Sequence, residues 1–73
     1  MQTLLLRQLW RIVNETQTQI VFELSDGDLV EQLLMQLARK RPLSPEEDEL
    51  VRAYLYSKTT LIRDLAHARL WRY

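Results

Sequence analysis

Apolar residues recur at helical spacing from Thr3 to about Val13. Leu5, Leu6, Leu9, Ile12 and Val13 form one stripe, and Gln2, Arg7, Gln8 and Arg11 fall mainly elsewhere. Beyond Val13 two periods fit the chain. Positions 13, 16, 20 and 24 continue the helical stripe, whereas 16, 18, 20, 22 and 24 alternate as a half-buried strand would. The β-branched residues Thr16, Thr18, Ile20 and Val21 favour the strand. Against it, no second run in the chain offers a pairing strand, and no turn residue separates Val13 from Thr16. The pattern predicts one helix over about 3–24.

Ser25-Asp26-Gly27-Asp28 resets the chain, with Ser25 as a helix cap, two carboxylates for the positive helix end and the only glycine to relax the corner. Leu29, Val30, Leu33, Leu34, Leu37 and Ala38 then form a broad apolar face. Arg39-Lys40-Arg41 closes that helix before Pro42, so its predicted span is 26–41. The basic triplet is expected to face Glu46 to Glu49 across a tight turn. Ser44-Pro45-Glu46-Glu47 is a capping box with proline at the first helical position, and it opens a third helix predicted over 45–72. Val51, Tyr54, Lys58, Leu61, Leu65 and Ala68 keep a three-four spacing, widened by Leu50, Ile62 and Leu70. Ser57-Lys58-Thr59-Thr60 is its weak point, where a helix could break and restart.

The predicted architecture is therefore all-α, a single domain over 1–73 with three helices running up, down and up. At 1.5 Å rise per residue, 26–41 reaches about 24 Å and 45–72 about 42 Å. The longer helix outruns its hairpin partner near Thr60, leaving Leu61, Ile62, Leu65, Leu70 and Trp71 on an overhang that the first helix does not reach. A second copy of the chain is the expected cover, because two-fold pairing is the commonest oligomer and a short chain buries little core alone. Leu61, Ile62, Leu65, Leu70, Trp71, Trp10, Leu6 and Tyr73 are the expected interface residues, with the aromatic ones as anchors.

Composition supports this reading. Seventy-three residues allow one domain, 47% apolar content with one Gly and two Pro suits a helical protein, and no cysteine is available for a disulfide or a thiolate metal site. Ten basic and ten acidic residues cancel, which gives no electrostatic reason to expect a polyanion partner. No apolar run approaches the about 20 residues that a membrane-spanning helix needs. The expected setting is a soluble protein of the reducing cytoplasm.

Candidate chemistry is sparse. His67 follows Asp64 by three residues, so the pair shares a helix face, but one such pair supplies at most half of a metal site. The sequence has no nucleophile–His–acid set, phosphate-binding glycine loop or zincin spacing. The expected function is that of a non-enzymatic protein–protein interaction module, a homodimeric helical bundle that presents its first and third helices to itself or to a larger protein partner, serving as a small adaptor or regulator. It would need no cofactor, metal or small-molecule substrate. The alternative takes 17–24 as a strand followed by two helices, the element order of ribbon-helix-helix repressors, whose dimers read DNA with a two-stranded ribbon. Gln17, Gln19, Val21 and Glu23 would then face DNA, with Glu23 against the phosphates.

Overall fold

A computed structural model describes residues 3–70 of the chain. They form four α-helices and no strand: α1 (Thr3–Glu15), α2 (Thr18–Glu23), α3 (Asp26–Lys40) and α4 (Pro45–Leu70). The molecule measures 39 × 23 × 20 Å. Its long axis equals the length of α4, 26 residues at 1.5 Å each.

The helix expected over 3–24 is broken in two. At the end of α1 the Thr16 hydroxyl donates to the Ile12 carbonyl at 2.8 Å, and the Thr16 amide donates to the same oxygen at 3.0 Å. Threonine thereby closes the last turn with its own side chain, the local competition that makes Ser and Thr poor at propagating a helix. Gln17 is extended (φ −60°, ψ 134°), and a short second helix starts behind it. The strand alternative at 17–24 is overturned by the same segment, since Thr18–Glu23 is helical. The buried residue of this helix is Val21, outside the alternating set 16, 18, 20, 22 and 24, and Phe22 of that set is exposed.

α3 begins as the sequence indicates, with the Asp28 amide donating to Ser25 Oγ at 3.2 Å and Asp26 and Asp28 in its first turn. Gly27 does not relax a corner, for it lies in that first turn without a positive φ. A Cβ there would stand 3.4 Å from the Tyr56 hydroxyl, an ordinary contact. Leu29, Val30, Leu33, Leu34 and Leu37 are buried along α3, whereas Ala38 is exposed.

The capping box at the start of α4 is complete. The Glu47 amide donates to Ser44 Oγ and the Ser44 amide to Glu47 Oε1, both at 3.1 Å. α4 runs unbroken through Ser57 to Thr60. Ser57 Oγ donates to the Tyr54 carbonyl at 2.7 Å and Thr59 Oγ1 to that of Tyr56 at 3.3 Å, so these hydroxyls are satisfied within the helix rather than capping a new one.

α3 and α4 form an antiparallel hairpin fastened at three levels by ion pairs: Arg41–Glu47 near the turn, Arg52–Glu31 midway and Arg63–Asp26 at the far end. Beyond that last level α3 ends, and the overhang inferred from helix lengths would begin there. The structure corrects it in part. α2 turns back across α4, placing Val21 in the same core as Ile62 (1% exposed) and Ala66 (0%). A broken first helix covers what an unbroken one could not. α1 lies against α3, burying Leu5, Leu9, Ile12 and Val13, so one contiguous core joins all four helices.

Candidate docking face

The side of α1 turned away from this core is neither smoothly polar nor closed. Thr3, Leu6, Arg7, Trp10, Arg11, Asn14 and Glu15, successive positions at three- and four-residue spacing, line a groove of about 550 Å³. It adjoins a second groove of about 440 Å³ lined by Asn14, Leu65, Ala68 and Arg69, where α1 meets the end of α4. Asn14 belongs to both, which makes a single continuous face across two helices.

Two long-range hydrogen bonds hold α1 over α4 and define that face. Trp10 Nε1 donates to the Tyr54 hydroxyl at 2.9 Å, and the rings meet edge-on with centroids 6.3 Å apart at 87°. Tyr54 also carries Lys58 Nζ 5.7 Å from its ring centroid. Further along, Arg69 Nη1 donates to the Asn14 carbonyl at 2.8 Å, supplying a donor to one of the carbonyls that the end of α1 leaves open. Arg69 Nε is buried without a partner among the described residues.

The electrostatics of the face are one-sided. Arg7 and Arg11, four residues apart on the exposed side of α1, meet no carboxylate among the described residues. Glu15, the one acid of the groove, is in an ion pair with Lys40 at 3.6 Å. The opposite sign gathers at the start of α4. There Glu47 is engaged by Arg41 and Asp48 by Arg52, but the exposed Glu46 and Glu49 are in no ion pair among the described residues. The Ser44 amide holds the Glu47 carboxyl below its ordinary value, aided by Arg41 and the Ser44 hydroxyl against a smaller opposing effect of burial.

The five expected interface residues whose side chains are described divide into three groups. Leu6 and Trp10 are half-buried and line the groove, Leu61 and Leu65 are 44% and 41% exposed, and Ile62 is core. Ile62 is therefore removed from the candidate interface, because α2 already covers it. The side chain of Leu70, and Trp71 and Tyr73 altogether, lie outside the described residues. Arg7, Arg11, Asn14, Ala68 and Arg69 were not among the expected interface residues. For the first two, the absence of acids on the exposed side of α1 before Glu15 is a signal present in the sequence, whereas Asn14 and Arg69 meet only through the fold.

Of the basic triplet, only Arg41 meets the acidic start of α4. Lys40 turns to Glu15, and Arg39 donates to the Met35 sulfur at 3.6 Å. Asp64 and His67 are exposed on α4, and the His67 ring packs edge-on against Phe22, centroids 5.3 Å apart. No cluster of three or more potential metal-ligating side chains occurs among the described residues. None of the described helices is long and apolar enough to cross a membrane. Comparison of the chain with protein-family models, curated proteins and solved structures finds no match.

Proposed function

We propose that the chain is a non-enzymatic interaction module that works as a homodimer, in the manner of a small adaptor or regulator, with the face made by α1 and the end of α4 as its contact surface. The observation that carries the reading is the continuity of the two grooves through Asn14. Leu6, Leu65 and Ala68, none of them in the core, are brought onto one surface beside Trp10, whose ring also packs against the core. A partly apolar surface rimmed by polar groups, with a tryptophan at its centre, is the composition of protein contact sites. The overhang at Ile62 no longer contributes to the case, since α2 covers it. Self-association rests on the groove and on the exposed Leu61 and Leu65 beside it.

Size-exclusion chromatography with light scattering tests the reading. The wild-type chain is expected at about twice its 8.8 kDa mass at tens of micromolar, and Leu65→Glu, at an exposed position, at the single-chain mass with unchanged helicity. A wild-type chain that stays at the single-chain mass throughout contradicts it.

A further inference from the structure

The groove along α1 is unsuited to meet its own copy directly. Arg7 and Arg11 stand near the middle of the exposed side, so two α1 helices packed face to face would set arginines against arginines, a juxtaposition that costs affinity. The same chain displays a segment of matching size and opposite sign. At the start of α4, Glu46 and Glu49 are exposed without ion-pair partners among the described residues, and Leu50, one turn after Glu46, is 56% exposed. Arg7 and Arg11 are about 6 Å apart along their helix and Glu46 and Glu49 about 4.5 Å along theirs. Each pair of charges borders apolar surface: Leu6 and Trp10 in the first case, Leu50 in the second.

We propose that the groove of α1 takes the first turns of α4 from a second copy of this chain, with Glu46 and Glu49 meeting Arg7 and Arg11 and Leu50 entering beside Leu6 and Trp10. In a two-fold pair the contact is reciprocal, residue i of one copy meeting residue j of the other twice over. This inference rests on the homodimer reading and makes it specific. It also explains how a chain of zero formal net charge can associate through charge, since the Arg7/Arg11 pair and the Glu46/Glu49 pair lie on different helices. The association weakens as salt rises.

The test is a charge exchange followed by light scattering, with circular dichroism confirming that each variant remains helical. Arg7→Glu/Arg11→Glu opposes acid to acid at both reciprocal contacts, and Glu46→Arg/Glu49→Arg opposes base to base. Each alone is expected to dimerise more than roughly 100-fold more weakly than wild type. Mixed one to one, they are expected to recover the two-chain mass, since both contacts are then complementary. A wild-type dimer unaffected by either double substitution, or reversed variants that do not recover on mixing, overturns this inference and leaves the homodimer reading standing. A wild-type chain at the single-chain mass overturns both. In that case binding of wild type, but not Arg7→Glu/Arg11→Glu, to an acidic amphipathic peptide or to anionic phospholipid vesicles would give the groove a foreign occupant instead.

Discussion

Arg63 of α4 donates through Nη1 to the Val21 carbonyl of α2 at 2.6 Å, and this contact between residues 42 apart in sequence closes the end of the bundle. The same guanidinium reaches the Leu24 carbonyl at 3.1 Å and Asp26 Oδ1 at 2.6 Å through Nη2. The fork of planar donors thus collects carbonyls that the end of α2 leaves open and the first acid of α3. The two helices are held at the corner where the chain turns between them.

Replacement of Arg63 by Met is expected to cost roughly 1.5–3 kcal/mol, the range for hydrogen bonds that involve a charged group. Asp26→Asn, at an exposed carboxylate, is expected to cost less than about 1 kcal/mol. Urea denaturation of the two variants measures the difference, and equal costs would place the strength of the corner in the ion pair rather than in the carbonyl contacts.

Covering of the α4 end by α2 separates neighbouring residues sharply. Ile62→Ala is expected to lose roughly 2–4 kcal/mol by opening a cavity in the core. Leu61→Gln, one position earlier, is expected to lie within about 0.5 kcal/mol of wild type when measured at concentrations low enough to exclude association. Denaturant midpoints at micromolar protein distinguish the two.

Trp10 and Tyr54 form the bridge that keeps α1 over α4. Tyr54→Phe preserves the ring contact and leaves the indole N–H without its acceptor, at an expected cost of about 1 kcal/mol. In a double-mutant cycle with Trp10→Phe, a coupling energy of at least about 0.5 kcal/mol is expected. Independent, additive effects would show that the bond adds nothing to ring packing.

The start of α4 carries a pH dependence. Glu47 has its native value lowered from the ordinary 4.5, chiefly by the Ser44 amide. Its contribution to stability is full above the unfolded value and is lost as pH falls through the lower native one. Wild-type stability is therefore expected to fall more steeply below about pH 4.5 than that of Glu47→Gln. Ser44→Ala, which removes the cap itself, is expected to cost about 1 kcal/mol at neutral pH. Thermal melts between pH 3 and 7 provide the comparison.

The starts of α3 and α4 were legible because their causes are local: Ser25 and Ser44 each bond an amide three residues ahead, and both lie in the sequence beside their carboxylates. The break at Thr16 was not legible, since both the helical and the alternating pattern run through it and the side-chain closure onto Ile12 competes only weakly with another helical turn. The break lets Val21 join the core that holds Ile62, a long-range outcome that no local pattern carries. Missing the break also created the overhang, because an unbroken first helix cannot fold back across α4. Leu6, Trp10 and Leu65 were legible as surface-bound apolar positions, but their union into one face depends on Asn14 and on its contact with Arg69, 55 residues away.

The most direct measurement is an isotope-filtered NOE experiment on a mixed sample of labelled and unlabelled chains at millimolar concentration. Cross-peaks between copies that involve Leu6 and the Trp10 indole are predicted, with the Leu50 methyls among their partners. A spectrum in which these residues show contacts only within their own chain would contradict the proposed docking face.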